Sequence, residues 1–195
     1  MIILASNSPR RREILSDLGV EFRVFSADTD ESCDITDPVL FAEELARRKG
    51  EAAYRLLADS EGEEYAKSAI IISADTVVAA EGEILGKPRD VSDARRMLSL
   101  LSGRTHSVIT GIGVTSKGVT YVSHSNTKVV VANIPDDEID RYIASGDPMD
   151  KAGAYGIQSG FSRWVMAIEG CYFGVVGLPV NALNKLYFDV TGEWL

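Results

Sequence analysis

The sequence predicts an α/β fold built on a mixed β-sheet, and three observations carry that prediction. Helical and strand-like segments interleave along the chain. The run AIIISA at Ala69 to Ala74 reads as a buried strand by its apolar character. Thr105 to Ala132 alternates β-branched and polar residues around Lys117-Gly118, the pattern of an antiparallel hairpin.

Taken in order, Ile2 to Ala5 reads as the opening strand, Ser8-Pro9 supplies an N-cap and a first helical position, and Gly19 follows the last turn. Phe22 to Phe25 reads as a second strand. Asp37-Pro38 starts a long helix running to about Ala58, Asp59 to Glu64 reads as a short acidic loop, and the buried strand follows. Further helices are expected over Val91 to Leu101 and Pro135 to Ser145. A glycine-rich loop around Asp150 to Gly160, more strands and a final helix near Val180 to Phe188 complete the chain. No repeat or Pro/Ser-rich linker divides the 195 residues, so one domain over 1–195 is expected, with room for two lobes.

Composition narrows the function classes. With 45% hydrophobic residues the chain can bury a core, yet no apolar run approaches the roughly 20 residues a membrane span needs. The apolar stretch Met1 to Ala5 precedes the arginines, the reverse of a secretory signal, so export is not expected. Cys33 and Cys171 form no CxxC pair and read as free thiols of a reducing, cytoplasmic compartment. A net charge of −9 opposes non-specific nucleic-acid binding, though a small polyanion remains an acceptable ligand wherever cations converge. There is no GxxxxGK[ST] loop, no third glycine after GIG at 111–113, no GxSxG elbow and no HExxH pair. His106 and His124 read as strand residues on a polar face, and a dedicated zinc site is not expected.

Local rules are broken in three places. Arg10, Arg11 and Arg12 occupy the first turn of a helix, where the dipole and free N–H groups favour anions. Two readings stand: a phosphate held by that turn with Ser6 and Ser8, or an ordinary N-cap with solvated arginines. Lys49 lies near the centre of an apolar stripe formed by Phe41, Ala42, Leu45, Ala46, Ala52, Ala53 and Leu56. It must reach a partner or a cavity, or snorkel past the edge of the core. Asp75 ends AIIISA, at the carboxyl end of a strand, where open α/β sheets bind ligands; the plain alternative is a polar strand end. If the first strand and this one are parallel neighbours, the acid and the arginines share a cleft. Lys87 and Arg89 in GKPRD, and Arg104 and His106 in SGRTH, add basic turns that are weak signals singly.

In LASNSPRR (4–11), ISADTVV (72–78), LGKP (85–88), LSGRTHSVITG (101–111) and DKAGAYGIQ (150–158), the sequence resembles the Maf family, nucleotide pyrophosphatases also known as septum-formation inhibitors. The resemblance covers nearly the whole chain. It implies an elongated α/β fold with a cleft between lobes, related to inosine-triphosphate pyrophosphatases, and metal-dependent hydrolysis of a nucleoside triphosphate to monophosphate and pyrophosphate. It makes Asp75 the general base, assigns base selection to Arg10, Thr76 and Gln158, and makes Arg11, Lys49 and Lys87 phosphate contacts. Glu31, in DTDES, would help Asp75 hold a divalent cation, magnesium or manganese. AGAYGIQ resembles the branch that acts on dTTP and UTP, and a glutamine amide suits the imide edge of uracil or thymine. A homodimer is a further implication. A non-catalytic, nucleotide-binding regulator of cell division is the alternative. Gly50 departs from the alanine expected after Lys49, and a bend in the helix is expected there.

Overall fold

The computed structural model describes residues 1–195. The chain opens with strand β1 (Ile2–Leu4), helix α1 (Pro9–Asp17) and strand β2 (Phe22–Val24). A long helix, α2 (Pro38–Glu61), and a short one, α3 (Glu63–Ser68), lead into β3 (Ile70–Ala80) and β4 (Glu83–Leu85). After α4 (Val91–Leu101) come the paired strands β5 (Thr105–Ser116) and β6 (Val119–Val131), then α5 (Asp136–Ala144). Short 3-10 turns fill most of 147–164 before β7 (Val165–Glu169), α6 (Tyr172–Val176) and α7 (Val180–Thr191).

All seven strands belong to one mixed sheet in the order β2-β1-β3-β5-β6-β7, with β4 added at the far end of β3. β1 and β3 are parallel neighbours, Ile2 to Leu4 lying beside Ile70 to Ile72, as a shared cleft requires. β5 runs antiparallel to β3 on one side and to β6 on the other. The β5–β6 turn has Lys117 and Gly118 both at positive φ, 51° and 83°, the backbone of a two-residue hairpin turn.

Strand alternation sorts the core. Ile72, Ala74 and Val78 of β3 face the large cluster with α1, α4, α5 and α7, whereas Ile71 packs with Ala53 and Leu57 of α2, and Val77 with Ala42. Helix α2 starts where Asp37 accepts hydrogen bonds from Val39 and Leu40 N–H, both at 2.9 Å. It then lies unusually close to the sheet. A Cβ on Gly111 would sit 2.2 Å from the Ala42 carbonyl oxygen, and one on Gly50 would sit 2.6 Å from Thr115 Oγ1. Buried Ser73 donates to the Ala46 carbonyl at 2.7 Å and fixes helix to strand.

Several expectations need correction. Gly50 does not bend α2, which is continuous from Pro38 to Glu61; it is small because the sheet is in contact there. The stripe of α2 is rotated slightly, so Leu57 is buried and Leu56 is 42% exposed. The stretch Asp59 to Glu64 is no loop: α2 runs on to Glu61, Gly62 breaks it at φ 96°, and Glu63 and Glu64 open α3 at the helix end that favours acids. Strand β3 does not stop before Asp75 but continues to Ala80, since TVVAA keeps strand character beyond the acid.

That longer strand makes the site. β1 covers β3 only as far as Ile72, and β4 pairs only from Val78 onward, so 73–77 has β5 on one side and no strand on the other. The cleft opens at this gap.

Candidate active site

A cleft of about 870 Å³ occupies the gap. Ser6, Ser8, Arg10, Arg11, Glu31, Lys49, Asp75, Thr76, Lys87 and Gln158 all line it, so every site residue expected from the sequence is drawn into one concavity. Four segments supply the cations: the first turn of α1, the middle of α2, the β4–α4 connection and, at the rim, Lys151 of the 3-10 segment.

Asp75 is 8% exposed and faces α2, where Lys49 Nζ donates to its Oδ1 at 2.5 Å. The same ammonium lies 2.8 Å from Glu31 Oε1. Lys49 therefore turns toward the cleft and snorkels past no core edge. Its hydrogen bond, more than any other influence, holds the Glu31 carboxyl below the usual glutamate range.

The next residue points through the sheet to the opposite face. Thr76 Oγ1 accepts from Arg11 Nη2 at 3.1 Å and pairs with Thr110 Oγ1 at 2.9 Å. Arg11 also donates to the Gly177 carbonyl at 2.8 Å and to Ser6 Oγ at 3.0 Å. Burial pulls its pKa down and the negative charge of Asp75 opposes that pull. Of the three arginines the structure thus inserts Arg11 into the site, leaves Arg12 exposed, and pairs Arg10 with Asp150 at 3.3 Å across the cleft mouth. Ser8 is the N-cap residue of α1, yet its side chain makes no capping hydrogen bond; Ser6 Oγ instead accepts from Ser8 N–H at 3.2 Å. Lys87 is exposed at the rim with no carboxylate within ion-pair distance. Gln158 is likewise exposed to the cleft.

Other basic residues serve elsewhere. Arg89 pairs with Asp93 at the start of α4, and Arg104 donates to the Leu100 carbonyl at its end, 2.7 Å away. His124 stands partly exposed on β6 beside Glu43. His106 corrects the expectation of a polar strand face: it is 3% exposed, and its Nε2 lies 2.7 Å from the hydroxyl of Tyr155, which lines the cleft. Burial lowers its pKa from 6.5 to about 4. The unfolded chain takes up a proton near pH 6.5 and the folded one refuses it until about 4, so this stabilisation is complete above pH 6.5 and lost on descending to 4. Urea unfolding should show a stability loss on the order of 3 kcal/mol from this residue across that window. His106→Gln should flatten the pH slope, and equal slopes would exclude the histidine.

Sequence reasoning assigned no task to Phe41, Leu45 or Tyr155, which form the apolar wall, or to Asp150 and Lys151 at the rim. The apolar residues carried no signal beyond core periodicity. Asp150 and Lys151 stood inside a quoted motif without a role.

An acid bracketed with cations, set in a gap of an α/β sheet, defines a protein with an anion-receptive cleft. The family model described as Maf-like protein matches residues 1–189, and the chain belongs to that family. A Chromobacterium violaceum dTTP/UTP pyrophosphatase is 49% identical over 92% of this chain and 89% of its own length. Those of Agathobacter rectalis, 46% identical over 97% and 98%, and Alkaliphilus metalliredigens, 49% over 95% and 93%, are similarly related. Among solved structures, the Staphylococcus aureus Ham1 protein aligns over 98% of each chain at 18% identity with a TM-score of 0.47. No helix of the chain is long and apolar enough to cross a membrane.

Proposed function

We propose that the chain hydrolyses nucleoside triphosphates, dTTP and UTP foremost, to the monophosphate and pyrophosphate. The observation that carries this reading is the convergence of Asp75, Lys49, Arg10, Arg11 and Lys87 on one cleft, in a family whose relatives bear that activity in their names.

In this reading Asp75 accepts a proton from a water as its oxygen bonds to the α-phosphorus, and the bond from that phosphorus to the bridging oxygen of pyrophosphate breaks. Lys49, Lys87 and the arginines offset the charge gathering on the leaving group. Ser6, Ser8 and Arg11 hold phosphate oxygens at the start of α1. Arg10, Thr76 and Gln158 select the base, the Gln158 amide offering a donor and an acceptor to the imide edge of uracil or thymine.

Glu31 and Asp75 would hold magnesium or manganese. Both reach the one Lys49 ammonium, so two hard oxygen donors converge on a common point, a sparse set suited to a cation that keeps much of its water. When bound, the cation would neutralise phosphate charge and polarise the phosphoryl oxygens. Residues 1–195 act as one domain in this reading, in the cytoplasm, where the free Cys33 and Cys171 stay reduced, and as a homodimer.

The test is incubation with dTTP, UTP, dCTP and ATP in the presence of magnesium, following the phosphate products. Pyrophosphate together with dTMP or UMP is the expected result. Orthophosphate as the primary product would overturn attack at the α-phosphorus, and tight nucleotide binding without turnover would favour the regulatory reading.

A further inference from the structure

The mouth of the cleft contains a nearly buried ammonium that the hydrolytic reading leaves without a task. The Lys151 side chain is 12% exposed. Its Nζ donates to the Asp147 carbonyl at 2.6 Å, the Asp147 carboxylate at 3.0 Å and the Asp150 carboxylate at 2.7 Å.

Asp147 is the hub of the surrounding turn. The Tyr142 hydroxyl donates to it at 2.5 Å and accepts the Gly156 N–H at 3.2 Å. Ser159 Oγ lies 2.5 Å from Asp147 and 2.9 Å from the Gly156 carbonyl, one proton serving both. Burial pushes the Asp147 carboxyl up, and the hydrogen bonds from Ser159, Tyr142 and Lys151 together outweigh it and hold it low. The lysine stem itself presses on the same glycine, since a Cβ at Gly156 would lie 2.7 Å from Lys151 Cε. Gln158 stands two residues further on, exposed to the cleft, so its place follows from the backbone that carries it. On the other side Asp150 reaches Arg10 of α1. Two cations and two carboxylates balance in this cluster; without Lys151 the cluster would carry a net negative charge beside the path of a polyanion.

We propose that Lys151 is a positioning residue for base selection: by pinning Asp147 and Asp150 it fixes the turn at 147–159, and through Gly156 the place of Gln158. The inference rests on the proposed function insofar as Gln158 reads the base.

Lys151→Met keeps most of the stem and removes the ammonium. The preference for dTTP over dCTP, whose base edge exchanges an acceptor for a donor, should fall about tenfold. KM should rise, with kcat changed by no more than about threefold. Gln158→Ala should cause a similar loss of preference, and the double variant should lose no more than either single one, the signature of two residues acting as a unit. A lysine that only stabilises the fold would lower Tm and leave the preference intact. Hydrogen exchange needs no substrate: the amides of 156–159 should exchange faster in Lys151→Met while β3 stays protected. Unchanged preference in an active variant, additive losses, or unchanged exchange at 156–159 would each overturn the proposal. Absence of dTTP turnover in the unaltered protein would instead count against the hydrolytic reading and leave exchange to judge the positioning.

Discussion

Replacing Asp75 with asparagine should lower kcat by a factor on the order of 10²–10⁴, the range that a positioned general base contributes, while nucleotide affinity is kept or tightened. The amide has nearly the shape of the carboxylate and still accepts a hydrogen bond from Lys49, which approaches Oδ1 to 2.5 Å in the native protein. It cannot take a proton from water. With one negative charge fewer beside the phosphates, repulsion of the polyanion falls, which offsets the weaker hold of an amide oxygen on the cation. The separation of these effects is the informative part: steady-state kinetics should show the loss in kcat, and calorimetric titration with a non-hydrolysable dTTP analogue should show affinity at least as high as before. Native-like turnover would remove Asp75 from the chemistry. A loss confined to affinity would make it a binding group only.

Gly111→Ala should cost about 3 kcal/mol, the upper part of the usual range for overpacking a core, which for a chain of this size lowers Tm by about 6–12 °C. A methyl group there would meet the Ala42 carbonyl oxygen at 2.2 Å, its carbon at 2.4 Å and the Glu43 nitrogen at 2.7 Å. These are backbone atoms of α2 and cannot rotate aside, so the helix must move off the sheet. Lys49 lies on the same helix, two turns beyond, so kcat/KM should fall in whatever fraction remains folded. Gly86→Ala is the control, because nothing lies within 4 Å of a Cβ at that position. A Gly111→Ala protein that melts with the native one would show that α2 and β5 are less tightly joined than their contacts imply.

Much of this site was legible because it violates local rules. A lysine among the apolar positions of α2 and arginines at the positive end of α1 each need a compensating partner, and a breach of that kind can be seen without coordinates. The identity of the partners was not legible. Lys49 meets Asp75 across 26 residues and Arg11 meets Gly177 across 166, pairings set by topology alone. His106 was misread for a related reason: alternation placed it correctly on a strand, but the Tyr155 hydroxyl that lets it be buried comes from 49 residues away. Gly50 was misread because propensity describes a helix in isolation, whereas its role lies in what touches it. The network around Asp147 depends on turns whose backbone no periodicity describes.

The interruption in the sheet opens both of its surfaces to a single ligand. Asp75 and Thr76 are consecutive, and in a strand consecutive side chains leave by opposite surfaces. The carboxylate meets Lys49 on one surface and the hydroxyl meets Arg11 on the other, so only a ligand threaded through the opening can be grasped from both. In the proposed reading, parity along β3 is thereby part of the recognition apparatus. Inserting one residue between Ile72 and Asp75 would turn the acid toward the arginine's surface and the alcohol toward the lysine's, whereas inserting two would return each to its own surface, displaced along the strand.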